Sequence, residues 1–142
     1  MENKLTLETS ITINTSKANV WHALTDPEQI KKYLFGTETK TDWKVGSPIS
    51  FSGMWEGKPY QDKGTILQIE KEKILKYNYW SSFAGTEDKP ENYANITYRL
   101  EEANGHTVFH ISQDGLPTQE ALDHSKHNWQ TVMNGLKELL ET

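Results

Sequence analysis

The stretch VWHALTDPEQIKKYLF, Val20 to Phe35, decides the fold, because it reads as two short helices interrupted by a proline. Thr15 or Ser16, just upstream, offers a side-chain oxygen to cap a first helix carrying Val20, Trp21 and Leu24 on one side. Pro27 has no N–H and disfavours helical geometry at Asp26, so the first helix is expected to stop there. The same proline suits the first turn of a second helix, with Asp26 as its N-cap and Ile30, Tyr33 and Leu34 facing inward. The segment is therefore a two-helix elbow, with one kinked helix as the alternative.

Working outward, LTLETSITI (Leu5 to Ile13) alternates and is rich in β-branched residues, which predicts a strand before the elbow. Beyond Gly36 the period becomes two. TETKTDW reads as an edge strand and KVGSP as a turn. PISFSGMW sets Ile49, Phe51, Gly53 and Trp55 on one face, EGKPY turns, and QDKGTILQIEKE returns. The returning strand has conflicting parity: Thr65, Leu67 and Ile69 share a face that Ile66 contradicts. KILKYNYW aligns Leu75, Tyr77 and Tyr79, and SFAGTEDKPENY is an acidic loop containing Gly85 and Pro90. ANITYRLEE aligns Ala94, Ile96, Tyr98 and Leu100. Asn104-Gly105 signals a hairpin, after which TVFHISQ points Phe109 and Ile111 one way and His110 the other. The pattern is an antiparallel meander with one apolar and one solvated face.

Pro117 and Thr118 open a long helix, with Glu120 favourable near its positive end. Leu122, Trp129 and Leu136 recur every seven residues, and Val132, Met133, Leu139 and Leu140 widen the stripe. About 24 helical residues span roughly 36 Å, enough to cross a sheet. Gly135 costs this helix about 1 kcal/mol relative to Ala; it either permits close approach to the sheet or is simply tolerated.

Composition narrows the function classes. A chain of 142 residues without linkers, repeats or low-complexity segments is expected to form one domain, 1–142. Cysteine is absent, which excludes disulfides, thiolate chemistry and Cys-based zinc sites. A net charge of −5 argues against a nucleic-acid partner or an anionic membrane surface. No apolar run suits a membrane span or a signal peptide, so the cytoplasm is the expected location. The 5 Trp, 6 Tyr and 4 Phe are conspicuous in so hydrophilic a chain, and such rings serve either a core or a binding cavity.

The order of strand, elbow, meander and long helix is that of the α+β helix-grip fold, a curved antiparallel sheet wrapped around a C-terminal helix. ITINTSKANVWHALTDPEQIKKYL, DWKVGSPISFSG, GTILQIEKEKILKYNYW and HNWQTVMNGLKELL, taken in order, resemble the activator of heat-shock protein 90 ATPase homologue-like family. That family belongs to the START/birch-pollen-allergen-like (SRPBCC) superfamily. The resemblance implies a hydrophobic cavity between sheet and helix but fixes no function: the superfamily includes lipid carriers, cyclases and hormone receptors. The co-chaperone members carry a further N-terminal domain with no counterpart in these residues, which weighs against co-chaperone activity.

Candidate chemistry is sparse. Asp62, Glu70, Glu72, Glu87, Asp88, Glu101 and Glu102 are read as carboxylates of turns and solvated faces. His124 and His127 stand three apart on the last helix without a third ligand, so no metal site, cofactor or catalytic residue is assigned. His22 lies within the elbow helix, His106 at a turn and His110 away from the apolar face, so none is read as a general base, and Gln113 and Asp114 read as turn and cap residues after the last strand. The aromatic face is the stronger signal. Phe51, Trp55, Tyr77, Tyr79, Tyr98, Phe109, Trp129 and Met133 are expected to converge between sheet and helix as a ligand-binding lining, with a filled core as the alternative. The leading expectation is non-enzymatic binding of a small hydrophobic or aromatic molecule. The alternatives are a stress-related module that partners a chaperone protein through Glu87 to Glu91, and a cyclase or hydrolase of a hydrophobic substrate.

Overall fold

The computed structural model describes residues 4–34, 36–55, 57–81 and 87–141, with Trp55 described by its backbone alone. Phe35 and Gly85, both part of the sequence reading, lie outside the described residues. The chain runs β1 (Leu5–Ile13), α1 (Lys17–Thr25), α2 (Pro27–Tyr33), β2 (Glu38–Lys40), β3 (Pro48–Trp55), β4 (Lys58–Glu70) and β5 (Ile74–Tyr79). A 3₁₀ turn at Pro90–Asn92 precedes β6 (Ala94–Ala103), β7 (His106–Leu116) and α3 (Gln119–Glu141). The seven strands form one antiparallel sheet in the order β1-β7-β6-β5-β4-β3-β2.

The elbow forms as its capping chemistry dictates. Ser16 accepts a hydrogen bond from the Asn19 N–H at 3.2 Å, and Asp26 Oδ1 accepts one from the Glu28 N–H at 3.0 Å. Pro27 occupies the first turn of α2, where its missing N–H costs nothing. Tyr33 fastens the two arms together by donating to the Ala23 carbonyl at 2.9 Å. Because β1 and β2 lie at opposite edges of the sheet, the elbow carries the chain from one edge to the other. It thereby closes one end of the concave face.

Turns and irregularities follow local rules. Asn104 and Gly105 both adopt left-handed backbone (φ 54° and 81°), as a two-residue hairpin linking β6 to β7 requires. The conflicting parity of the fourth strand has a specific cause. The β4–β5 register shifts between Ile66 and Gln68, a bulge that leaves Leu67 39% exposed and returns Ile69 to the partner of Leu75. Asp62, Gly64 and Ile66 are consequently the buried set on the first half of β4.

The core joins elbow, sheet and helix. Ile13, Val20, Ala23, Leu24, Ile49, Ile66, Leu75, Ile96, Phe109, Ile111 and Leu136 are nearly or wholly inaccessible. On α3 the fully packed residues are Val132, Met133 and Leu136, in its C-terminal half, while Leu122 and Trp129 are only half-buried. That half is tied to β1: Lys137 Nζ donates to the Thr12 carbonyl at 2.9 Å, and the Asn14 N–H donates to Glu141 Oε2 at 2.8 Å. Gly135 meets α2 rather than the sheet, since a Cβ there would sit 3.4 Å from Tyr33 Cβ.

The tightest backbone approach lies within the sheet. A Cβ on Gly64 would fall 1.7 Å from the Asn78 carbonyl oxygen, while the neighbouring Thr65 N–H donates to Asn78 Oδ1 at 2.6 Å. Gly64→Ala therefore separates β4 from β5 at this point, with an expected loss of about 3 kcal/mol or more in urea unfolding. An unchanged midpoint would contradict the packing described.

Candidate ligand-binding cavity

The space between sheet and helix divides into two parts. Near the elbow it is filled: Leu24, Ile30, Tyr33, Leu34, Trp43 and Ile49 leave about 20 Å³, room for roughly one water. Toward the N-terminal half of α3 it opens into a cavity of about 660 Å³. Phe51, Tyr77, Tyr79, Ile96 and Tyr98 supply the sheet wall, Leu34 joins from the end of the elbow, and Trp129 and Val132 supply the helix wall. His124, Ser125 and Asn128 of α3 border it, His124 and Asn128 from the solvent-exposed side. Thr37, Tyr60, Asp62, Ser81 and Gln113 contribute polar groups.

The rings form a connected set. Tyr77 lies 5.7 Å from Phe51 and 5.6 Å from Tyr98, centroid to centroid, and Tyr98 meets Trp129 edge-on at 6.0 Å and Phe109 at 5.3 Å. Edge-to-face pairs of this kind add to the energy of burial and fix ring orientation. Two of the phenols hydrogen-bond each other, Tyr77 to Tyr98 at 2.8 Å. The Trp129 indole N–H donates to Gln113 Oε1 at 2.7 Å, which sets the angle of the helix wall. Tyr60 hydrogen-bonds Thr37 across the β3 edge, and its ring takes the space that a Cβ on Gly53 would need, 2.7 Å from the hydroxyl.

Five of the eight aromatic and Met residues singled out in the sequence border the cavity: Phe51, Tyr77, Tyr79, Tyr98 and Trp129. Phe109 and Met133 do not. Each is 1% exposed and packs in the core, so they support the lining rather than form it. The Trp55 side chain lies outside the described residues.

The polar residues require larger corrections. Asp62, read as a solvated carboxylate, sits mid-strand opposite Phe51, 7% exposed and against the cavity. Tyr79 donates its phenol hydrogen to Asp62 Oδ2, and Oδ1 is buried without a partner among the described residues. Gln113 and Asp114 lie within β7, not after it. Gln113 continues the inward set of Phe109 and Ile111, and that period-two continuation was the available signal. Asp114 instead holds β6, accepting from the Asn95 N–H at 2.6 Å and from Asn95 Nδ2 at 2.9 Å. Among the described residues, no three His, Asp or Glu side chains are grouped to hold a metal ion. No helix there is long and apolar enough to cross a membrane. His22 pairs with Asp26 at 3.3 Å, His106 contacts Asn14 at 2.8 Å, and His110 faces away from the core, 3.5 Å from Glu101.

The sequence profile of the family described as activator of Hsp90 ATPase homolog 1-like protein matches residues 14–141. The chain belongs to this family. It is similar to ChR145 from Cytophaga hutchinsonii, known from a solution structure: 43% identity, TM-score 0.86, covering 99% of this chain and 97% of that one. Two further solved structures share the fold. The Aha1 dimer from Colwellia psychrerythraea is 18% identical with TM-score 0.76, covering 96% of each chain. PFC0360w, an HSP90 activator from Plasmodium falciparum, is 17% identical with TM-score 0.75, again covering 96% of each. No curated protein matches the chain.

In this member of the Hsp90 ATPase activator homologue family, burial holds the phenols of Tyr77, Tyr79 and Tyr98, and of Tyr33 beside the cavity, in the protonated form. Burial raises the pKa of Tyr98 to about 12, partly offset by its hydrogen bond with Tyr77. Burial, reinforced by Tyr98, pushes Tyr77 and Tyr33 well above the ordinary range, and burial with the Asp62 carboxylate does the same to Tyr79. In the unfolded chain these phenols ionise near pH 10. The raised folded value of Tyr98 contributes stability that is fully present below about pH 10 and is lost as pH rises through about 12, and Tyr33, Tyr77 and Tyr79 act in the same direction. Urea midpoints should therefore fall steeply from pH 10 to 12, in step with phenolate absorbance at 295 nm, and Tyr98→Phe should reduce the fall. A flat profile would contradict the burial of these hydroxyls.

Proposed function

We propose that this protein binds a small, largely apolar molecule with a ring system in the cavity between β3–β6 and the N-terminal half of α3, acting as a non-enzymatic carrier or sensor in the cytoplasm. The observation that carries this reading is the cavity of about 660 Å³ with Phe51, Tyr77, Tyr98 and Trp129 in its walls. That volume falls within the range of small-molecule sites, about 300–1,000 Å³, which combine apolar walls with a few polar groups. Burying roughly 300 Å² of apolar ligand at about 25 cal/mol per Å² gives ~7–8 kcal/mol before entropic costs, so micromolar affinity is the expected ceiling for a loosely fitting hydrophobe.

The chaperone-linked reading has weaker support in the acidic segment it would use. Asp88 is engaged by Lys63 and Tyr93, and Glu87 by Lys89, so two of the three carboxylates from Glu87 to Glu91 already have partners within the chain. An enzymatic reading would need a donor and acceptor pair aimed at a substrate, and the phenol hydrogen of Tyr79 is already given to Asp62 Oδ2.

A panel of fatty acids, sterols, flavonoid-like compounds and a 1-anilinonaphthalene probe tests the proposal by NMR. A ligand should shift the Trp129 indole N–H resonance, assigned by its loss in Trp129→Phe, together with amides of β5 and β6. Val132→Phe, which narrows the helix wall, should weaken the same ligand. If no compound moves Trp129, the proposal fails.

A further inference from the structure

We infer that Asp62 is the polar anchor of the cavity and selects a ligand whose apolar ring body carries one hydrogen-bond donor, an ammonium or a hydroxyl. This rests on the cavity being a binding site. Three observations on one side chain support it. Asp62 is 7% exposed yet borders the cavity. Its Oδ2 is occupied by the Tyr79 phenol, while Oδ1 has no donor among the described residues. No cation among the described residues lies within ion-pair distance, because the adjacent Lys63, on the opposite face of β4, pairs with Asp88 and lies 5.9 Å from the Trp80 ring.

A buried carboxylate oxygen without a partner is costly to leave so, and it gains most from a charged or strongly polar donor. Beside the carboxylate stand Tyr79, which donates to it, and Phe51, its register partner on β3, and aromatic faces attract a cation that sits against them. An arylmethyl ammonium or a phenol-like hydroxyl fits these surroundings. A carboxylic acid does not, since its anion would stand against Asp62.

Four naphthalene probes of nearly equal shape separate these demands: 1-naphthylmethylammonium, 1-naphthol, 1-methylnaphthalene and 1-naphthoate, titrated against the Trp129 indole resonance. In the unaltered protein the better of the two donor probes should bind on the order of tenfold tighter than 1-methylnaphthalene, with 1-naphthoate weakest. The ammonium ahead identifies a charge pair, the naphthol ahead a neutral hydrogen bond, and either supports the anchor. Asp62→Asn should erase most of the donor advantage and of the penalty on naphthoate while leaving 1-methylnaphthalene nearly unchanged. The comparison of probes in the unaltered protein stands even if that variant does not fold. Equal binding of donor and donorless probes, or an order that survives Asp62→Asn, overturns the anchor but not the cavity. Absence of any shift at Trp129 overturns both.

Discussion

The seating of one half of a helix governs the rest of the molecule. Val132, Met133 and Leu136 bury the C-terminal half of α3, and Lys137 and Glu141 clamp it to the backbone of β1. A straight rod of 23 residues, about 35 Å long, cannot follow the curvature of the sheet along its whole length. Once one half is packed, the other leaves β3–β6 uncovered, and the cavity is the space that results. Gly135 helps set this geometry by letting α3 approach Tyr33 of the elbow, which holds the helix at one end only.

Within that space the protein uses its polar atoms economically. Tyr77 and Tyr98 share a hydrogen bond, Gln113 answers the indole of Trp129, and Thr37 pairs with Tyr60. Paired hydroxyls cost little in an apolar wall and hold the rings at fixed angles, so the lining is preorganised. Asp62 breaks this pattern. Buried polar groups are ordinarily paired, and a half-paired carboxylate persists where it serves a purpose beyond stability. Its position beside Phe51 and Tyr79 places an acceptor without a donor among the described residues next to two aromatic rings.

How much of this was legible in the sequence depends on the range of the rule involved. Asp26–Pro27 and Asn104–Gly105 act within a few residues, and both turns are found where those rules put them. The inward set Phe51, Tyr77, Tyr79, Tyr98 follows from strand alternation, again a local property. The fourth strand shows where alternation fails. Ile66 conflicted with its neighbours because an extra residue, Leu67, is inserted there, and the conflict was itself the trace of the bulge. Asp62 was misread because a carboxylate is ordinarily solvated, although Asp62, Gly64 and Ile66 keep one parity. The depth of Phe109 and Met133 was beyond any pattern in the chain. Whether an inward residue meets a cavity or a core depends on how the helix leans, which is fixed by contacts between distant segments.

The position of β1 also bears on how the molecule is assembled. Its partner is β7, so Ile13 pairs with Thr107 and Leu5 with Leu116, joining segments separated by nearly the whole chain. From β3 to β7 each strand pairs with its neighbour in the chain, whereas β1 pairs across a closure of great contour length. Topologies dominated by such remote pairings are slow to fold, because the entropy of closure is spent before the contacts repay it. Since α3 rests its clamped half on β1, the helix and the first strand hold each other in place, and the roof of the cavity depends on that remote pairing.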